Sequence, residues 1–339
     1  MIRLTDIIKK AAMDASPEAK VSLSEAVLGK LEPETRQEIE AVYESAILRT
    51  HQFMDDVKGG QTREWNDILR IAEDIVDAFI GKSNVLLALV NNPAPRVSVS
   101  NYIYPHSVNA AVLAVDLGVA LGHGKKEIAE LCACALIHDL GMLKISREII
   151  DKPSKLTEAE FDAVKRHPAY GLDLLRNVHS APASAFEVVF QHHENMDGSG
   201  YPEGKKGDQI SEFSKIVAVI EVFEALVHSR PYRTERILPF DAVKMLVMKS
   251  GMKFDPQVIK AFLNYITLYP IDSVVLLNNH EIGRVVGVNH FNPLRPIIEI
   301  FLDEAGNRPE KPKIIDLAKS PALIIQKAID EQSLNEAPW

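Results

Sequence analysis

Apolar residues recur at helical spacing through most of the first 270 positions, and the pattern changes character only after Pro270. Residues 1 to 97 predict helices over LTDIIKKAA, over EPETRQEIEAVYESAILRTHQFMDDV and over REWNDILRIAEDIVDAFIGKSNVLLALV. Ile68, Ile71, Ile75 and Phe79 fall on one stripe of the last of these, so this region packs against something. The Pro- and Asn-rich stretch NNPAPRV, residues 91 to 97, predicts a break. From 98 to 270 apolar helical runs alternate with short polar loops. Beyond that, SVVLLNNHEIGRVVGVNHFNPLRPIIEIFLDEAGNRP alternates β-branched runs with Asn and Gly turn signals and predicts an antiparallel sheet of about three strands. The expected organisation is therefore mainly α: a helical N-terminal regulatory or dimerisation domain (1–97), a helical bundle (98–270) and a small β-rich extension and tail (271–339).

Composition narrows the class. With 339 residues, 46% hydrophobic and 25% charged, the chain reads as globular and able to bury a core. A formal charge of −9 argues against polymeric nucleic acid as a partner and leaves any anionic substrate dependent on local positive charge. The most apolar window, VNAAVLAVDLGVALG, carries Asp116 in its middle, so no membrane span is expected. MIRLTDIIKKAAMDAS lacks the apolar core and cleavage site of a secretory signal, so the expected location is the cytoplasm. Cys132 and Cys134 lie two apart on a predicted helix, facing different ways, and are expected to be small buried residues rather than a disulfide.

Polar residues then appear where the pattern demands apolar ones. The run EIAELCACALIHDLG ends in His138 and Asp139, which continue the apolar face through Leu131 and Ala135. A buried carboxylate beside an imidazole is costly unless paired or bound to a metal. From that stretch alone, a capping His138 beside a solvated Asp139 reads equally well. The anomaly recurs at His106 on an apolar stripe, at His167 before Pro168, at His192 and His193 in HHENMDGSGYP (192 to 202), and at Glu221 and Glu224 inside KIVAVIEVFEALV. Five of the 11 histidines, with Asp139 and Glu221, supply seven candidate ligands. Imidazoles mixed with carboxylates and no thiolate suit iron, manganese or a similar first-row ion better than structural zinc. Two such ions sharing a carboxylate, roughly 3.5–4 Å apart, can clamp a phosphoryl oxygen, which points to phosphodiester hydrolysis.

His106-Ser107, His138-Asp139-Leu140-Gly141, KPSKLTEAEF, Lys165 to Pro168, HHENMDGSGYP and SRPYR (229 to 233) together resemble the HD-GYP family of HD metal-dependent phosphohydrolases. The resemblance implies an HD-type helical bundle, two divalent ions, iron or manganese, and hydrolysis of cyclic di-GMP to pGpG or GMP. It implies His106, His138, Asp139 and Glu221 around one ion, and His167, His192 and His193 around the other, with Asp139 bridging. Asp139 and Lys165 would serve catalysis. Gly200, Tyr201 and Pro202 would border the substrate cleft, and Arg230 and Arg233 would approach phosphate or guanine. Three positions depart from the family pattern: Met142 replaces a lysine, Glu221 replaces an aspartate, and Tyr102 stands where some members place the glutamate for a third ion. Two readings follow, an enzyme acting on cyclic di-GMP or a related cyclic dinucleotide, and a weak or inactive receptor or scaffold. In the second, the GYP loop would dock a GGDEF-type protein, and a homodimer is a further expectation.

Overall fold

The computed structural model describes residues 33–79, 90, 102–228, 230, 231, 233, 237–265, 269, 273–289, 292, 294–309, 311 and 313–329. Helix α1 (Pro33–Lys58) turns at Gly59 and Gly60 into the two-residue strand β1 (Arg63–Glu64) and helix α2 (Trp65–Phe79). The stripe read from the sequence is the packed one: Ile68, Ile71, Ile75 and Phe79 are all buried. The predicted break at 91 to 97 lies outside the described residues.

Helix α3 (Ile103–Leu121) is the axis of the bundle, packed by α1, α2, α4 (Lys125–Ile137), α9 (Glu212–Val227) and α11 (Pro256–Tyr265). Contact on every side explains why it is apolar nearly throughout. By length and composition it could cross a membrane, but 83% of its most apolar window is buried inside the fold. Asp116 is buried with it, and loss of solvent pushes its carboxyl up to about 7. At the end of α3, Gly122 takes a left-handed φ of 83° and lets the chain turn sharply into α4. Cys132 and Cys134 are free and buried, their thiols pushed up by burial, as small apolar residues would be.

A 3₁₀ turn (Leu140–Lys144) follows α4 and leads to α5 (Arg147–Ile150), α6 (Glu158–Val164) and α7 (His167–Leu175). Strand β2 (Val178–His179) pairs in parallel with β1, tying the N-terminal helices to the connection before α8 (Ala183–Gln191). Helix α9 follows, then α10 (Pro239–Met248) and α11. Residues from Ile39 in α1 to Ile325 near the C-terminus share one apolar core, so the described N-terminal helices are built into the bundle. Position 97 lies outside the described residues, as does position 270.

The C-terminal sheet has five strands where about three were expected: β3 (Val274–Leu277), β4 (Ile282–Gly287), β5 (Ile297–Leu302), β6 (Lys313–Asp316) and β7 (Ile325–Ile329). They run antiparallel in the order β6-β5-β4-β3-β7. The two extra strands are the sheet edges. Their mostly solvent-facing residues blur the alternation that marks a strand in the sequence.

Close packing fixes the turn after α4. A Cβ on Gly141 would lie 1.8 Å from the His167 carbonyl oxygen and 2.5 Å from the Gly171 nitrogen. Neither is a flexible side chain that could move aside. Gly141→Ala should therefore cost at least about 3 kcal/mol, the top of the usual range for overpacking. Gly122→Ala, strained in φ but with no atom within 4 Å of the new methyl, should cost roughly 1–2 kcal/mol. Urea unfolding of the two variants checks the ranking.

Candidate metal centre

The site forms where the ends of four helices meet the side of a fifth, α9. His106 lies in the first turn of α3, and His138 caps the end of α4. Asp139 then leaves the helix, at φ −95° and ψ 16°. His167 opens α7, His192 caps α8 with His193 next in the chain, and Glu221 and Glu224 lie on α9. Helix ends, unlike helix middles, let a polar side chain reach inward while its backbone still finds partners.

Asp139 sits at the centre. Its Oδ1 lies 3.3 Å from His167 Nε2 and 3.7 Å from His192 Nε2. Its Oδ2 lies 3.7 Å from His106 Nε2 and 3.8 Å from His138 Nε2. Ligand atoms of Asp139, His167, His192 and His193 fall within 4.8 Å of one another, and those of His106, His138 and Asp139 form a second such group. The carboxylate is common to both groups.

The other ring nitrogens decide what the imidazoles offer. His138 Nδ1 donates to the Ala135 carbonyl at 2.7 Å, His167 Nδ1 to Val164 at 2.8 Å, and His192 Nδ1 to Val188 at 2.9 Å. His106 Nδ1 donates to Glu224 Oε2 at 2.6 Å. A carbonyl or carboxylate oxygen only accepts, so Nδ1 carries the proton and Nε2 presents a lone pair towards Asp139. His167 and His192 bring their Nε2 atoms within 3.1 Å, two lone pairs facing each other. His138 Nε2, Asp139 Oδ1 and Glu221 Oε2 are buried without a hydrogen-bond partner. Orphaned buried acceptors are costly, and a divalent cation satisfies them together, so this donor set fits a divalent metal.

Burial holds His138 down to about 3 and His167 down to about 4, and also holds His193 well below the ordinary imidazole value. Burial opposes ionisation of Asp139, but His138, His192, His167 and His106 outweigh it and hold its carboxyl low. Glu221 behaves differently: burial, reinforced by Asp139, pushes it up to about 7.

Glu221 and Glu224, three apart in the sequence, separate in role. Glu221 Oε2 lies 3.3 Å from His193 Nδ1, and its carboxyl feels both His192 and His106. Glu224 supports His106 from behind, and it accepts from Asn109 at 2.9 Å and from Arg230 at 2.6 Å. Tyr43 of α1 donates to Asn109 at 2.6 Å, extending the chain of bonds to the N-terminal helix. The Glu221 and Glu224 pair was visible as two acids on an apolar helix, but nothing in the sequence marked Asn109 or Tyr43.

A cleft of about 400 Å³ opens onto the cluster. Asp139, His106, His167, His193 and Glu221 are among its lining residues, with Met142, Ile149, Leu156, Phe161 and Val164 as an apolar wall. Tyr201 lines it, its ring 4.6 Å from that of His193 and stacked on it. Gly200 and Pro202 shape the loop instead of lining the cleft. A Cβ on Gly200 would stand 2.4 Å from the Asn195 nitrogen, pressing the GYP turn against the HHE segment.

Each of the three cations expected at the cleft is engaged by a partner. Arg230 lines the cleft, but its guanidinium is bonded to Glu224 and stands 4.6 Å over the Tyr102 ring. Arg233 is outside the lining. It donates to the carbonyls of Ala225, Leu226 and His228 and so fastens the loop to α9. Lys165 ends α6 one turn after Asp162, pairs with it at 3.0 Å and lies over the ring of Phe161, a residue of the cleft wall, without being among the lining residues itself.

Two predictions follow from this geometry. Glu224→Gln keeps the size of the side chain but loses the charge that orients His106, so metal affinity should fall roughly 10–100-fold. Elemental analysis after dialysis measures it. The depressed His138 and His167 also set an acid limit. The unfolded chain protonates them below about 6.5, the folded one only near 4 and below, so their stabilisation is present above pH 6.5 and fades as pH falls. The chelated protein should lose up to about 2 kcal/mol per histidine between pH 7 and 5. Urea midpoints should fall less steeply in His167→Gln.

Comparison with known proteins agrees with this geometry. Residues 81–258 match the HD domain family, and residues 274–337, which include the five-stranded sheet, match a KOW domain associated with HD domains. A cyclic di-GMP phosphodiesterase of Pseudomonas aeruginosa is 30% identical over 78% of this chain and 63% of its own, and one from Borreliella burgdorferi is 32% identical over 61% and 54%. This chain thus spans less than two thirds of either relative. An HDG"Y"P protein from Bdellovibrio bacteriovorus, 17% identical, shares the fold at a TM-score of 0.55 over 76% of each chain. With the HD pair, the HHE segment and the GYP turn converging on one buried, divalent-metal-binding cluster, the chain belongs to the HD domain family, in its HD-GYP branch.

Proposed function

We propose that this chain is a cytoplasmic metal-dependent phosphodiesterase that hydrolyses cyclic di-GMP to pGpG or GMP at a centre of two iron or manganese ions. The carrying observation is the single carboxylate shared by two ligand groups, Asp139. His106 and His138 would hold one ion, and His167, His192 and His193 the other, with Glu221 beside the second group. When bound, the pair supplies Lewis acidity to the phosphoryl group.

The residues of the chain do the rest. The Nδ1 tethers keep four imidazoles aimed before substrate arrives, so little reorganisation is left for the reaction. Glu221, with its carboxyl near 7 at the cleft floor, can take up or release a proton at neutral pH. Tyr201 on His193 offers a flat face against which a base can stack, and the apolar wall from Ile149 to Val164 keeps water from the floor. The cyclic di-GMP phosphodiesterases to which the chain is similar support the substrate.

One observation favours a second reading. Met142 faces the cleft where the family pattern has a lysine, which removes a cation from the reacting centre and suits a cyclic dinucleotide receptor, docking a GGDEF-type protein through the GYP loop or acting as a homodimer.

Protein purified anaerobically should carry about two iron or manganese ions per chain. Asp139→Ala should lose both ions and the conversion of cyclic di-GMP to pGpG, while His280→Asn, in the distant β3–β4 turn, should keep both. Met142→Lys should raise turnover, by up to roughly a hundredfold if the restored cation is well placed. If neither wild type nor Met142→Lys yields product while calorimetry shows tight nucleotide binding, the receptor reading replaces the enzyme.

A further inference from the structure

A cyclic dinucleotide brings two phosphodiester anions, and only one can lie at the metal cluster at any moment. The other must find positive charge elsewhere in a cleft whose floor already carries Asp139 and Glu221 and whose chain is net negative. Among the described residues, two lysine or arginine side chains line that cleft, Arg230 and Lys155. Arg230 is buried and committed to Glu224 at 2.6 Å, leaving little of its charge to offer. Lys155 is exposed at the rim and forms no ion pair with any described residue.

The loop that carries Lys155 is fastened on both sides of it. Lys152 Nζ reaches both carboxylate oxygens of Glu160, at 2.8 and 2.6 Å. Glu160 Oε2 also accepts from the Thr157 nitrogen at 2.7 Å and from its hydroxyl at 3.0 Å, closing a capping box at the start of α6. The two neighbouring lysines are thereby neutralised, Lys152 by Glu160 and Lys165 by Asp162. Between the anchors, Lys155 keeps an uncompensated charge, and Leu156 and Phe161 of the same segment build the apolar wall beside it. A fixed backbone under a free ammonium lowers the ordering cost of binding an anion.

We propose that Lys155 is a substrate-binding residue that holds the second, non-reacting phosphodiester of a cyclic dinucleotide at the mouth of the cleft. The inference rests on the phosphodiesterase reading for its substrate class. It concerns binding and orientation, and no bond is made or broken at Lys155. A charge at the rim also acts at a distance, so it steers the incoming anion and makes association sensitive to salt.

The test uses the metal-loaded full chain and its Lys155→Ala, Lys155→Glu and Lys155→Arg variants, with metal content measured for each. For cyclic di-GMP, Lys155→Ala should raise KM or Kd roughly tenfold, as expected for one charged hydrogen bond, with kcat nearly unchanged. Lys155→Glu should weaken binding further, Lys155→Arg should restore it, and the salt dependence of association should flatten in Lys155→Ala. Bis(p-nitrophenyl) phosphate has a single diester, so it loses only long-range steering and its KM should change far less than that of cyclic di-GMP in all three variants. An equal rise in KM for both substrates, a fall in kcat alone, or failure of Lys155→Arg to rescue would overturn the assignment. Cyclic di-AMP and 3′3′-cGAMP separate this inference from the substrate reading. If wild type binds one of these and not cyclic di-GMP, and Lys155→Ala weakens that binding, the role of Lys155 stands and the cyclic di-GMP reading fails. Wild type that binds no cyclic dinucleotide overturns both.

Discussion

A carboxylate buried among imidazoles is the constraint on which this fold depends. Asp139 is placed within 3.8 Å of four Nε2 atoms contributed by α3, α4, α7 and the end of α8. Left without compensation, such a group would weaken the core it occupies. The structure turns each imidazole so that Nδ1 is used up on a backbone carbonyl or on Glu224, leaving a convergent set of lone pairs that a cation can satisfy. The same demand explains the tight backbone nearby. Gly141 lets the turn after Asp139 press against the His167 carbonyl, and Gly171 lets α7 approach Val189 of α8. Side chains at either position would separate the ligand-bearing segments before they could share one carboxylate.

The support reaches well beyond the ligands. Tyr43 on α1, Asn109 on α3 and Glu224 on α9 form a buried chain of hydrogen bonds that ends on His106. The HD domain match begins at residue 81, yet α1 and α2 share the apolar core and supply one end of this chain. Outer partners of this kind fix tautomer and ring orientation, and their loss is felt at the metal. A change in α1 thus has a physical route to the site, through three side chains whose partners are all named.

Much of this was legible in the sequence, for a reason specific to buried ligands. Imidazoles and a carboxylate interrupting apolar stripes are conspicuous because the hydrophobic pattern states what should stand there. His106, His138, Asp139, His167, His192 and His193 were readable on that ground, and all six meet in space. The stripe of α2 was readable by the same logic. Cations were not. Lys165, Arg233 and Lys155 all lie in polar segments, where a charge breaks no pattern. Which of them faces the cleft depends on partners such as Asp162 and the carbonyls of α9, which only the folded chain brings together. The edge strands β6 and β7 escaped for a related reason, since strands with mostly exposed residues carry little alternation to read.

The two acids of α9 show how small a displacement separates roles. From sequence, Glu221 in place of aspartate adds a methylene that shifts the carboxylate by more than an ångström unless the helix yields. In the fold its Oε2 stands beside His193 at 3.3 Å, outside the two tightest ligand groups, and burial with Asp139 nearby pushes its carboxyl up to about 7. One turn on, Glu224 is more deeply buried, but His106, Arg230 and His228 around it hold it ionised. Carboxyl groups whose surroundings drive them apart in this way divide the labour of a site. Asp139 and Glu224 carry fixed negative charge, the one toward the metal ligands and the other behind His106. Glu221 is the carboxyl whose protonation a small change of nearby charge can reverse, and it is the one of the three that stands against His193 on the floor of the cleft.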